Sequence, residues 1–144
     1  MHITFPMFEK GRSFVMAGGL VKAYEGHKFV YLHLVCQCIE CIGKALLLSR
    51  NYEKFEQKLK GDYGHDLELL INEINEGSTE ALFSKEAMKE LKILNSYYKQ
   101  HMLRYGAASD FKVEAQYITA DCLHRELIEC LAELNTKFAS IESP

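Results

Sequence analysis

The sequence predicts an all-α fold, an antiparallel up-and-down bundle of four or five helices that forms a single domain over residues 1–144. Prolines occur only at positions 6 and 144, so the residue that most reliably breaks helices is absent from the stretch between them. Apolar residues recur at helical spacing, and the breaks between the periodic segments are short turns that contain glycine. A chain of 144 residues suits one hydrophobic core.

The first two predicted helices cover the N-terminal third of the chain. The first spans 8–24 and ends before Gly26, and its expected apolar face consists of Phe14, Ala17, Leu20, Val21 and Tyr24. The adjacent Gly18 and Gly19 either weaken this helix or let another helix approach closely. The second spans 27–50 and is apolar on nearly every side, which is typical of a central helix covered by its neighbours.

Three further helices are predicted after a charged and aromatic connecting segment at 51–60. The third opens at His65-Asp66, with Asp66 as its cap, and ends at Gly77. The fourth spans 84–105 and the fifth 111–140. Away from the apolar stripe of the fourth helix lie Lys85, Lys89, Lys92 and Lys99.

Charge and cysteine content restrict the classes of function. A net charge of -3 provides no global field for phosphate backbones, so any contact with nucleic acid requires a local basic patch. Five cysteines, an odd number, lie inside helical patterns without a signal peptide, which indicates reduced thiols in a cytoplasmic protein. The apolar stretch 29–48 is interrupted by polar residues at regular intervals, and we predict a core helix there rather than a membrane span.

A polar stripe on the second helix supplies the first candidate ligand-binding residues. Residues three or four positions apart share one face of a helix, and the stripe consists of His33, Gln37, Glu40 and Lys44. An acid, a cation and an imidazole on one face could bind a polar ligand or a nucleotide. The favoured interpretation is structural, with Glu40 and Lys44 as an ion pair one turn apart.

Two later motifs contain the remaining candidates. His65 and Asp66 follow Gly64, where a helix N-terminus could receive an anion, although capping by Asp66 accounts for the motif more simply. Arg104 and Tyr105 close the fourth helix and could contact a phosphate. The simpler interpretation is that Arg104 complements the helix dipole while Tyr105 lies in the core.

No metal or cofactor site is expected. The three cysteines of the second helix point in different directions and cannot converge on one ion. A bundle di-metal site needs a carboxylate-x-x-His pair on each of two helices, and only Asp121-x-x-His124 lies within a long helix, because a turn splits Asp62-x-x-His65.

Three motifs in this order resemble the HEPN domains: Glu40 to Leu48 on the long apolar helix, Tyr63-Gly64-His65-Asp66-Leu67, and Arg104-Tyr105-Gly106. The resemblance implies a bundle that commonly forms a homodimer. It also implies a role in toxin–antitoxin modules, in phage defence by abortive infection, or in association with a small nucleotidyltransferase.

The nuclease members of the HEPN family carry an arginine followed by a histidine, with four to six residues between them. No histidine follows Arg12, Arg50, Arg104 or Arg125 at that spacing. We therefore expect a non-catalytic or degenerate HEPN-like module that binds a protein partner, such as a nucleotidyltransferase or an antitoxin, or a nucleotide or RNA. The alternatives are an RNA-processing or nucleotide-modifying enzyme with an atypical site, and a purely structural bundle.

Overall fold

The computed structural model describes residues 4–61, 63–100, 103 and 118–142, and every regular element among them is helical. This confirms the all-α class. The helices are α1 (Thr4–Ala23), α2 (Lys28–Arg50), α3 (Tyr52–Gly61), α4 (Leu67–Glu76), α5 (Lys85–Tyr98) and α6 (Asp121–Glu142).

Helix α2 forms the centre of the core, as its apolar composition predicted. Thirteen of its 23 residues are buried, and it packs against α1, α3, α4 and α5. Its length and hydropathy would also suit a membrane span, but most of its apolar surface is covered by these neighbouring helices. Since one chain covers this helix, α2 does not itself require a second copy.

The predicted apolar face of α1 is wrong in part. The side of α1 that packs on α2 carries Phe8, Gly11, Val15 and Gly18, whereas Leu20 and Tyr24 are exposed. The close approach between these helices occurs at Gly11, where a β-carbon would lie 2.9 Å from Ile42 Cγ2 and 3.2 Å from the Cys38 carbonyl oxygen. A small residue at position 11 therefore sets the distance between the two helices.

Three other boundaries differ from the expectation, and one of them is the end of α5 at Tyr98, where the fourth helix was expected to continue to 105. Segment 51–60, expected to be a connection, belongs to helix α3, which buries Phe55. The helix expected over 111–140 begins only at Asp121, because residues 118–120 are not helical, and its earlier part at 111–117 lies outside the described residues. The helical spacing of apolar residues in the sequence continues across 118–120, but the chain does not form one helix there.

Caps fix the starts of three helices. The His27 side chain accepts a hydrogen bond from Phe29 N at the start of α2, and Ser84 accepts one from Ala87 N at the start of α5. Asp66 accepts one from Leu69 N at the start of α4, which confirms its predicted role.

Candidate functional site

The polar stripe of α2 faces α5 and the turn that leads into α4. All four of its residues, His33, Gln37, Glu40 and Lys44, are half-buried, while most of α2 around them is buried. The stripe therefore lies along the edge of the core, where a side chain can reach both the interior and the solvent. The turn at 63–66 places His65 against its middle.

Glu40 is the centre of the candidate site. Its Oε1 lies 2.7 Å from Nδ1 of His65, and its Oε2 lies 3.7 Å from Nζ of Lys44. The Glu40 and Lys44 side chains are 16% and 20% exposed, whereas that of His65 is 47% exposed. One partly buried carboxylate thus holds an imidazole and an ammonium group at the surface, and we call Glu40, Lys44 and His65 the seam site.

Tyr98 of α5 lies beneath the seam site and is buried. Burial raises the pKa of Tyr98, and the charge of the Glu40 carboxylate together with a hydrogen bond to it raises this pKa further. The hydroxyl is therefore neutral and donates to Glu40. The Tyr98 ring also packs against His33, at 5.5 Å between centroids, and edge-on against His65, at 5.9 Å.

The turn that carries His65 is fixed on both sides. Gly64 adopts a φ of 51°, in the left-handed region that favours glycine. After it, Asp66 caps α4 and also accepts a 2.9 Å hydrogen bond from Nδ2 of Asn95. Asn95 is fully buried and in turn accepts from Leu67 N at 2.8 Å.

The structure thus separates the seven candidate residues. It brings together Glu40, Lys44 and His65, places His33 on the far side of Tyr98, and gives Asp66 a structural role at the cap. Arg104 and Tyr105 lie outside the described residues. In the sequence, Tyr98 is marked only by its position on α5, three residues after Asn95. Its place under Glu40 depends on the tertiary packing.

The chemistry of the seam site follows from its hydrogen bonds. An ionised carboxylate accepts hydrogen bonds only, so Nδ1 of His65 carries the proton that is shared with Glu40 Oε1. This hydrogen bond fixes the orientation of the ring. In a neutral ring with its proton on Nδ1, Nε2 is an acceptor, whereas the Lys44 ammonium on the other carboxylate oxygen is a donor.

A second polar cluster joins α1, α2 and α6. The Tyr31 hydroxyl lies 2.7 Å from Nδ1 of His124, and Lys22 lies 3.1 Å from Asp121. Burial lowers the pKa of His124 and raises that of Tyr31, so both groups are neutral at pH 7. The hydrogen bond from Lys22 lowers the pKa of Asp121, and this pair cancels its own charge.

This second cluster borders a cavity of about 580 Å³. Since its two polar pairs satisfy each other, we interpret it as a connection between helices. Among the described residues, no group of three or more His, Cys, Asp or Glu side chains is placed to hold a metal ion.

No protein-family model, no curated protein and no solved structure matches this chain. The HEPN resemblance rests on the three motifs alone.

Proposed function

We propose that this chain is a HEPN-like, non-catalytic binding module that takes a nucleotide, or the end of an RNA strand, at the seam site. The observation that supports the proposal is the arrangement around Glu40, which holds the His65 imidazole on one oxygen and the Lys44 ammonium on the other. The Lys44 ammonium is a charged donor that forms strong hydrogen bonds to phosphate oxygens, and Nε2 of His65 can accept from a hydroxyl or N–H group of a nucleotide. The 47% exposure of the His65 side chain leaves it accessible to a ligand.

Binding without cleavage is favoured by where the arginines lie. RNA cleavage requires a proton-transfer group together with a cation that stabilises the charge developing on the phosphate. Arg50 donates to the Ile74 carbonyl oxygen, and Arg12 donates to Asn135, so both are engaged away from the seam site. No arginine of the chain has a histidine at the spacing found in the nuclease members.

Isothermal titration of the purified protein with nucleoside mono-, di- and triphosphates tests the proposal. We expect saturable binding that weakens by about twofold to tenfold in His65→Ala, the range for a lost neutral hydrogen bond. His124→Gln, in the second cluster, is the matched control and should bind like the parent. Absence of binding to any nucleotide, or equal affinity in His65→Ala, would contradict the proposal.

A second candidate function is supported by the same hydrogen bond. An imidazole oriented by a carboxylate is the arrangement used for general base catalysis, so an RNA-processing enzyme with an atypical site is the alternative. Incubation with structured and single-stranded RNA separates the two functions. Cleavage by the parent that His65→Ala lacks would favour the enzyme over the binding module.

The proposal includes a homodimer, and we propose that its interface lies on α1. Met16, Leu20 and Tyr24 lie one turn apart on one face of α1 and are 60%, 61% and 84% exposed. Their pattern is symmetric about Leu20, with Met16 and Tyr24 four positions away and Ala17 and Ala23 three positions away. Two copies related by a twofold axis at Leu20 would pack the two Leu20 side chains against each other and Met16 of each copy against Tyr24 of the other.

Light scattering of Leu20→Glu tests this interface against Leu69→Glu, which alters an exposed leucine of α4. We expect a dimer mass for the parent and for Leu69→Glu, and a monomer mass for Leu20→Glu. A monomeric parent would exclude the homodimer and leave this face to a protein partner, such as the nucleotidyltransferase or antitoxin that the resemblance implies.

A further inference from the structure

The outward face of α5 carries a row of lysines. Lys85, Lys89, Lys92 and Lys99 are all exposed, and at 100° per residue they fall within an arc of about 80°. Ser96 occupies the remaining position of this arc. We call these four lysines the lysine row, and at 1.5 Å per residue it extends over about 21 Å.

The lysine row lies apart from the ion pairs of the described residues. Glu90 of α5 lies on the flank toward α6, where it accepts a 2.7 Å hydrogen bond from Leu123 N. Within the described residues, the nitrogen–oxygen ion pairs involve Arg12, Lys22, Lys44, Lys58 and His65. None of the four lysines is among them, so the row concentrates positive charge on a chain whose net charge is -3.

A groove runs beside the N-terminal part of the lysine row. It has a volume of about 450 Å³, and its walls combine Lys85, Lys89 and Lys92 with the apolar side chains of Ala81, Phe83 and Met88. Glu68 also borders the groove and lies 3.5 Å from Nδ2 of Asn95. Apolar walls beside a line of cations suit a ligand that has an anionic backbone and flat, uncharged groups attached to it.

The C-terminal end of the lysine row lies next to the seam site. Lys99 directly follows Tyr98, whose ring packs against His65. On the same side of α5, Asn95 binds the start of α4, which carries the turn with His65. A ligand that follows the row toward the end of α5 therefore reaches the seam site.

We infer that the lysine row binds the sugar-phosphate backbone of a single-stranded RNA whose end occupies the seam site. This inference rests on the proposed nucleotide binding and adds the surface that would follow the strand. A row that is one charge wide matches one backbone, and lysines bind phosphates as point charges. The groove then receives bases beside the backbone.

Fluorescence anisotropy with labelled RNA of increasing length tests the inference on three proteins: the parent, Lys85→Gln/Lys89→Gln/Lys92→Gln, and the control Lys10→Gln/Lys54→Gln/Lys60→Gln. The control removes the same charge from exposed lysines of α1 and α3. Loss of three phosphate contacts should weaken oligonucleotide binding by about a hundredfold at about 0.1 M salt and reduce the salt slope by about 2. The control should bind like the parent.

Mononucleotide titration separates this inference from the proposed function. If mononucleotides bind all three proteins equally while only the first triple variant loses oligonucleotide affinity, both are supported. Equal losses in the two triple variants, or no gain in affinity with RNA length, would overturn the lysine row while leaving the seam site intact. Stronger binding to phosphatidylserine vesicles than to RNA would overturn it too. Oligonucleotide binding that depends on the row, without mononucleotide binding, would retain the row and reject the seam site.

Discussion

Two histidines follow an aspartate by three positions, His65 after Asp62 and His124 after Asp121, and the fold gives them opposite surroundings. His65 lies on an exposed turn, and the Glu40 carboxylate holds its Nδ1. His124 lies within α6 against the neutral hydroxyl of Tyr31, and burial lowers its pKa. The same local pattern thus gives one exposed imidazole that a carboxylate holds and one half-buried imidazole that is kept neutral.

The comparison shows that a partner distant in sequence sets the surroundings of each histidine. Glu40 is 25 residues from His65, and Tyr31 is 93 residues from His124. The carboxylate partner holds the exposed ring of His65, whereas burial lowers the pKa of His124 beside the Tyr31 hydroxyl. We therefore propose ligand binding for the first histidine and interpret the second as a contact between helices.

The largest effect is expected at Asn95, which ties the His65 turn to α5. Asn95→Ala removes the acceptor for Leu67 N and the donor to Asp66, and it leaves a buried N–H without a partner. We expect a loss of about 2–4 kcal/mol in the free energy of unfolding, measured by urea denaturation. Asn75→Ala, which removes one half-buried bond to Leu82 N, should cost about 1 kcal/mol. Equal losses would show that the turn does not depend on Asn95.

A smaller effect is expected at Glu40. Glu40→Gln keeps an oxygen that His65 can bond but leaves Lys44 without its counter-charge, and we expect a loss of about 1–2 kcal/mol. Adding Lys44→Met should recover part of this loss, because it removes the unpaired cation. Thermal melts of the single and double variants measure the effect, with Glu73→Gln in the more exposed pair with Lys58 as the control. If the stability loss of the double variant equals the sum of the losses of the two single variants, Glu40 and Lys44 lie in open solvent.

The smallest effect concerns His124 and pH. Because burial lowers its folded pKa from the ordinary 6.5, the unfolded chain takes up this proton first as the pH falls through that value. The parent should therefore lose stability between pH 7 and pH 5, and His124→Gln, which still bonds Tyr31 without titrating, should lose less. Melting temperatures at both values provide the measurement. An identical decline in the two proteins would mean that His124 is not kept neutral.

Much of the fold could be predicted from the sequence because the signals are local. The core position of α2 follows from its composition, and the start of α4 follows from Gly64 and Asp66. The exposed face of α1 could not be predicted, since Leu20 and Tyr24 are apolar yet point away from α2. Periodicity identifies an apolar face, but it does not tell whether the same chain covers it.

The candidate site was predicted only in its parts. Spacing along one helix related Glu40 to Lys44, and the turn motif singled out His65. Their meeting, and the place of Tyr98 beneath them, depend on how the turn before α4 packs between α2 and α5. Contacts between residues distant in sequence lie outside what periodicity and caps can specify.

The most direct test of the account is a side-chain NMR titration of the histidine rings with a nucleoside monophosphate. Both His65 and His124 are observed in the same sample, so each serves as a reference for the other. The account predicts that the ring signals of His65 shift saturably while those of His124 remain in place. A His65 ring that is unaffected at millimolar nucleotide, or a shift confined to His124, would contradict it.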